Sequence, residues 1–298
     1  MTNVLEQLPA GGRVAVIRLR SLGDCVLTTP ALAILKKFRP DLRVVVVVED
    51  RFRAIFEDNL DVDGIVQPAV SAARRIRPQL CLNLHGGSRS TWTTALSGAR
   101  YRAGFGHFRG QMVYNVRIPR AQQILGVDRK VHTAEHLASA IFHLGAPLTE
   151  IPRARLAAPV RQSTCVVIHP AAAAPAKTWH VDGFLAVARQ LARSDVVFIG
   201  GESDDLSPFS EFRTVRGAPL GELKSLLGSA SLFIGNDSGP AHMAAAFGVP
   251  SVVIFGSSDP AIWGPWRTPA EVVTAPGGIA SVTAEQVLEA LARLRVHA

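Results

Sequence analysis

Residues Ser231 to Gly256 read SLFIGNDSGPAHMAAAFGVPSVVIFG. Leu232-Phe233-Ile234 is a short apolar run ending in Gly235, and Asn236-Asp237-Ser238-Gly239 follows with residues suited to capping a helix. Ala241 to Phe247 is a run of small residues with helical character, stopped by Gly248 and Pro250. Ser251 to Phe255 is a second apolar strand. Strand, polar turn, helix and strand fit one βαβ unit of a parallel sheet. Its first turn presents backbone N–H groups at a helix N-terminus, where a phosphate or carboxylate is favoured. Asp237, Ser238 and His242 add more polar chemistry than such a turn needs for folding alone.

The same alternation extends outward from this unit. Downstream, Glu271–Thr274 reads as a strand and Thr283–Arg295 as a helix. Upstream, Thr164–His169 is a strand, Pro170–Lys177 a loop, Val181–Ala192 a helix and Val196–Gly200 a strand. The loop Gly201–Asp205, a strand at Arg213–Val215 and a helix at Leu220–Leu227 complete this half. The first half carries strands at Arg13–Leu19, Arg43–Val48, Gly64–Val66, Gln79–Leu84 and Tyr101–Phe105. Helices are expected from Thr29 to Phe38, with Pro30 in the first turn, and at Arg51–Asn59, Ser71–Ile76, Thr91–Ser97 and Ala134–Leu144. Residues 106–131 have weak periodicity and read as a long excursion. Thr149 to Pro159, with prolines at 152 and 159, suits a linker. The chain is therefore an α/β protein of two doubly wound parallel-sheet, Rossmann-like domains, expected at 1–156 and 157–298, with ligands in the cleft between them.

Composition narrows the function classes. The 298 residues are 48% hydrophobic and 19% charged, as in a globular protein with a large core. No apolar run reaches the roughly 18 residues of a membrane span. The N-terminus, MTNVLEQLPAGGR, lacks the pattern of a signal peptide, so a cytoplasmic protein is expected. Cys25, Cys81 and Cys165 have no metal-ligand spacing and read as reduced thiols. The net charge is +8 without a block of five or six like charges, and such a basic surface suits an anionic small substrate or an anionic membrane face. No nucleic-acid-binding motif accompanies it.

Asp24, His85, Lys177, Glu202 and Asp237 all follow predicted strands, where ligands of open α/β sheets bind. A carboxylate at Asp24 is placed to take a proton, or to cap the next helix. Lys177 closes the loop AAAAPAK, where an ammonium can meet a diphosphate. Glu202 can accept from ribose hydroxyls or be a solvated loop acid. His242 can serve the site or the packing of its helix. Gly104-Phe105-Gly106-His107-Phe108-Arg109 fails the G-x-G-x-x-G fingerprint, and P-loop, H-E-x-x-H and G-x-S-x-G motifs are missing.

Three segments, IRLRSLGDCVLTTPAL (Ile17–Leu32), HPAAAAPAKTWHVDGF (His169–Phe184) and IGNDSGPAHMAAAFGVPSVVIFG (Ile234–Gly256), the last continued by SSDPAIWGPW, resemble the family 9 glycosyltransferases. These are the ADP-heptose:lipopolysaccharide heptosyltransferases. Weaker likenesses at YRAGFGHFRGQMVYNVRIP and HTAEHLASAIFHLG extend the resemblance over nearly the whole chain. The resemblance implies a GT-B fold, an acceptor-binding N-terminal domain and a C-terminal domain for the nucleotide sugar. It implies inverting transfer without a metal or other cofactor, with Asp24 as general base. Lys177 and the N–H groups of Ser238 and Gly239 would stabilise the leaving diphosphate. Asp237 would hold sugar hydroxyls or the turn, His242 would support that loop, and Glu202 would meet the nucleoside.

The implied donor is ADP-heptose, and the implied acceptor is a lipopolysaccharide core or similar glycan at the inner membrane, which the basic surface would suit. One departure stands out: the loop before Lys177 is alanine from Ala171 to Ala174, where the family often has hydroxyl residues. A non-catalytic nucleotide-sugar-binding protein of the same fold is the alternative that this loop suggests.

Overall fold

The computed structural model describes residues 2–159, 163–191 and 194–296. They form two compact units, Met1–Ala157 and Ala158–Ala298. In the first unit the strands are β1 (Arg13–Ile17), β2 (Arg43–Val47), β3 (Gly64–Val66), β4 (Leu80–Asn83), β5 (Tyr101–Phe105) and β6 (Val116–Ile118). Its helices are α1 (Leu22–Phe38), α2 (Val70–Ile76), α3 (Ser88–Ala95), α4 (Ala121–Leu125) and α5 (Thr133–His143). The strands pair in parallel in the order β3-β2-β1-β4-β5-β6.

The second unit contains β7 (Val166–His169), β8 (Val196–Gly200), β9 (Arg213–Arg216), β10 (Leu232–Asn236), β11 (Ser251–Ile254) and β12 (Ala270–Val273). Around them lie α6 (Val181–Gln190), α7 (Leu220–Ser229), α8 (Gly239–Phe247), α9 (Pro260–Trp263) and α10 (Ala284–Val296). Their parallel order is β12-β11-β10-β7-β8-β9. Counted within each unit, the two sheets have the same strand order. In each, the order in which strands are added reverses between the first and fourth strands, the switch point at which open sheets bind ligands.

The sheets are apolar through the centre because helices cover both faces. All of Val14, Ala15, Val16 and Ile17 are buried in β1, as are Phe233 and Ile234 in β10. In the second unit Ile168, Phe184, Phe198, Ile234, Val252 and Ile254 pack with Trp179 and Val287 into one core.

Three expectations about local structure need correction, the first being the helix expected at Arg51–Asn59, which is a 3₁₀ turn over Asp50–Ile55. Helix α1 starts at Leu22, not near Thr29, so Asp24 lies in its first turn and Pro30 well inside it. The early start is set by a capping box, in which Ser21 and Asp24 serve each other's backbone. Pro30 is tolerated because the carbonyl of Val26, which loses the proline N–H, accepts the Thr29 hydroxyl at 2.8 Å. Residues 106–131 are also more regular than expected, holding β6, α4 and a short 3₁₀ turn at Gln111–Val113. Ala192, the expected end of α6, lies outside the described residues. The three cysteines are buried and unbridged.

Candidate functional site

In the first unit, the switch point brings the end of β1 beside the end of β4. Asp24 Oδ1 accepts from Arg18 Nη1 at 3.2 Å, and Oδ2 accepts from the Ser21 hydroxyl at 2.9 Å and the Ser21 N–H at 3.3 Å. The Arg18 side chain is 6% exposed and that of Asp24 24% exposed. Burial works against the Arg18 charge and Asp24 is its chief compensation. Arg18 Nε is shielded and has no hydrogen-bond partner among the described residues. Asp24 therefore caps α1 and pairs with a buried arginine at once, while keeping an edge open to a pocket of about 530 Å³. Arg18, Arg20, Ser21, Arg51, Phe52 and His85 line that pocket with it.

Two imidazoles share this electrostatic neighbourhood. Burial lowers the His85 pKa, Arg18 adds to the effect and Asp24 opposes it. His136, on α5, stacks on Phe105 with ring centroids 4.0 Å apart, and burial lowers its pKa to about 4. Both shifts favour the neutral form of the imidazole.

In the second unit, the ends of β7 and β10 meet at the equivalent switch point. Lys177 Nζ donates to Asp237 Oδ2 at 2.9 Å, and the Ser258 hydroxyl donates to the same oxygen at 2.5 Å. Lys177 keeps 31% of its side chain exposed, whereas Asp237 keeps 7%. His169 Nδ1 lies 3.0 Å from the Ser238 hydroxyl, and burial holds that histidine's pKa down at about 4. Ser238 is the N-cap of α8, so its amide and that of Gly239 have no acceptor within the helix. His242 is buried, with Nε2 4.0 Å from Asp237 Oδ1, beyond hydrogen-bond range.

The alanine loop is held from outside. Asn236, fully buried, donates from Nδ2 to the Pro170 carbonyl at 2.7 Å and accepts at Oδ1 from the Trp179 N–H at 3.0 Å. These bonds bracket residues 170–179 and fix where Lys177 emerges. Gly256 supplies a third constraint. A methyl at Gly256 would collide with the Ala176 carbonyl, which accepts from the Ser257 N–H at 3.1 Å. Gly256→Ala is expected to destabilise the unit by about 1–3 kcal/mol through overpacking. It should also displace Lys177; urea unfolding reads the lost stability, and a wild-type midpoint would rule out the collision.

A further pocket of about 290 Å³ lies between the loops after β7 and β8, lined by Pro170, Ala171, Ala172, Thr178, Ser203, Asp204 and Asp205 among others. Glu202 is not in its wall. Glu202 lies instead against Gly217, and Asp204 and Asp205 occupy the pocket side. The structure thus gathers Lys177, Asp237, Ser238, Gly239 and His242 in the second unit, and leaves Glu202 apart. Asp24 stands in the first unit with its own partners.

The sequence model of Glycosyltransferase family 9 (heptosyltransferase) matches residues 70–290. The chain belongs to this family. This family 9 enzyme is 26% identical over 292 residues to lipopolysaccharide heptosyltransferase 3 of Escherichia coli K12, covering 83% of each chain. A family 9 glycosyltransferase from Veillonella parvula superposes over 100% of both chains with a TM-score of 0.86 at 23% identity. The solved structure of E. coli heptosyltransferase WaaC with ADP superposes over 95% of this chain and 99% of its own, with a TM-score of 0.78 at 18% identity. The two Rossmann-like domains are thus of the GT-B type.

Sequence reasoning missed Arg18, Ser21, His136, His169, Asn236 and Ser258. Ser21, His169, Asn236 and Ser258 carried a signal, since each stands at the end of, or just beyond, a predicted strand. The others act through partners that strand order and packing bring close.

Proposed function

We propose that this glycosyltransferase moves a heptose from ADP-heptose to a lipopolysaccharide core or similar glycan, with inversion and without a metal ion. The carrying observation is the Asp24 carboxylate, fixed at the switch point of the first unit by Arg18 and Ser21 but open to a pocket. In this reading the first unit, expected at 1–156, binds the acceptor. Asp24 takes the proton of the acceptor hydroxyl as its oxygen forms a bond to the anomeric carbon. The bond from that carbon to the diphosphate breaks, and negative charge grows on the leaving group.

The second unit, expected at 157–298, binds the nucleotide sugar. Lys177 and the amides of Ser238 and Gly239 meet the growing charge, a task that fixed donors in a dry site perform well. Asp237 and Ser258 hold Lys177 in position, and His242 backs Asp237. Asp204 and Asp205, in the wall of the pocket after β8, are better placed than Glu202 to meet ribose hydroxyls. The names of the E. coli relatives, one a lipopolysaccharide heptosyltransferase and one a heptosyltransferase solved with ADP, support the choice of donor and acceptor. Among the described residues no helix is long and apolar enough to cross a membrane. We place the reaction in the cytoplasm at the inner-membrane surface, where such an acceptor would be presented.

The test is transfer by the purified protein from ADP-heptose to a core acceptor. Lys177→Met should lower turnover by about 10²–10³-fold, the scale of losing one transition-state charge stabiliser. Treatment with EDTA should leave turnover unchanged. A full rate in Lys177→Met would remove the leaving-group role, and loss with EDTA that added metal restores would overturn the metal-free chemistry.

A further inference from the structure

The net charge of this chain is concentrated in one segment. From Gly64 to Val127 there is no Asp, Glu or Lys, and there are nine arginines. The net charge of the whole protein is +8, so this segment accounts for all of it. Its first three arginines, Arg74, Arg75 and Arg77, end helix α2.

In a parallel sheet all strand starts lie on one edge and all strand ends on the other. Arg13 and Arg43 open β1 and β2 and are direct partners in the ladder. Paired residues of parallel strands project to the same face, so these two like charges stand side by side, an arrangement that destabilises a sheet. Ile76 of α2 packs on that face with Ala15, Ile17 and Val47, which brings Arg75 and Arg77 to the same edge. Arg13, Arg43, Arg75 and Arg77 line one cleft of about 660 Å³ with Val45, Ile76 and Asp63.

The fold does not neutralise this cluster. Among the described residues Asp63 is the only acid in the cleft wall, and its Oδ2 is taken by Lys36 Nζ at 2.9 Å and the Val44 N–H at 2.7 Å. Among the described residues none of the four arginines has an ion pair; Arg13 Nε donates to the Arg77 carbonyl at 3.2 Å. The C-terminal dipole of α2 favours Arg75 at that place. It offers nothing to the pairing of Arg13 with Arg43.

The backbone gives an independent sign. Arg77 adopts φ +50° and ψ +55° as the C-cap of α2. That left-handed position is ordinarily glycine, because a side chain there is strained. An arginine at a strained position in the wall of a cationic cleft fits a role for its guanidinium.

We propose that Arg13, Arg43, Arg75 and Arg77 form a second anion site, on the sheet edge opposite Asp24, for a ligand with clustered phosphates. Guanidinium forks match phosphate oxygens two at a time, and four of them around a cleft of this size exceed what one phosphate needs. The ligand is a soluble diphosphate or the phosphate headgroups of an anionic lipid surface. Neither reading depends on Asp24 or Lys177.

Two binding arms distinguish the sources. Pyrophosphate is titrated by calorimetry into the full-length protein and into Lys177→Ala, which separates this cleft from the Lys177 loop. Co-sedimentation with phosphatidylcholine vesicles containing phosphatidylglycerol is the second arm. Arg43→Ala/Arg75→Ala should weaken the occupied arm at least ~10-fold, whereas Arg117→Ala/Arg216→Ala, equal in charge lost, should not. Transfer turnover on a soluble acceptor should be unchanged in both.

Arg77→Gly keeps the carbonyl that holds Arg13 and removes the strain. It should weaken binding while raising the melting temperature by about 2–4 °C, opposite signs that a folding defect would not give. Loss confined to pyrophosphate identifies a soluble phosphate, and loss confined to vesicles identifies lipid. No wild-type binding in either arm, or equal loss in the two double variants, overturns the site.

Discussion

Asp24→Asn is expected to lower transfer turnover by about 10²–10⁴-fold while leaving ADP affinity unchanged, the signature of losing a general base. The amide has the shape of the carboxylate and can still accept from Ser21, so the start of α1 is retained. It is far less basic and does not balance the Arg18 charge. Asp24→Ala is a poorer test because it mixes two effects. It removes the cap, worth about 1 kcal/mol, and leaves a buried arginine without its acid, which costs up to about 3–5 kcal/mol where both partners are buried. Asp24 is 24% exposed, so solvent screening reduces the second figure.

A second substitution separates folding from chemistry. Arg18→Met in the Asp24→Ala background should recover much of the lost stability in urea unfolding, because no buried charge is left unpaired. It should recover none of the turnover. Wild-type turnover in Asp24→Asn would end the base assignment, and the carboxylate would then serve as the cap of α1 and the partner of Arg18.

Asn236→Leu is expected to cost about 2–5 kcal/mol of stability in the second unit, although the side chains have similar volumes. The leucine would leave the Pro170 carbonyl and the Trp179 N–H without the partners they have now. An unsatisfied buried polar group costs about 1–3 kcal/mol, and two are created together. The loop between them carries Lys177, so ADP affinity should fall by more than about tenfold, the effect of about 1.4 kcal/mol. Urea unfolding and calorimetry with ADP read the two effects. Asn236→Asp keeps an acceptor for Trp179 but has no donor for Pro170, and it buries a charge. It should be no more stable than the leucine variant. A leucine variant within about 0.5 kcal/mol of wild type would show that the alanine loop holds itself.

The alanine loop also shows how far local sequence could be read. Four alanines before Lys177 supply no hydroxyl to a phosphate, and the sequence alone made this look like a weakened site. The structure places the rigidity elsewhere, in Asn236 and in the glycine at 256 that lets the Ala176 carbonyl come close. Asp24 is the converse case. Its two readings, base or cap, competed in the sequence, yet the carboxylate has enough lone pairs to cap α1 with one oxygen and meet Arg18 with the other.

The sequence by itself determined the two doubly wound sheets and the strand ends beyond which Asp24, Lys177 and Asp237 lie. Buried parallel strands are continuous apolar runs, and the glycine, proline and capping residues that end each element act within a few positions of it. Tertiary structure alone decided what those residues touch. Lys177 meets Asp237 across 60 positions of sequence and His169 meets Ser238 across 69. Those distances vanish only because β7 and β10 are neighbours at the switch point. Strand order is set by crossover helices and by packing over the whole sheet, and no local pattern carries it. The arginine cleft at the opposite edge follows the same rule: Arg13, Arg43, Arg75 and Arg77 become one group only when β1, β2 and α2 come together.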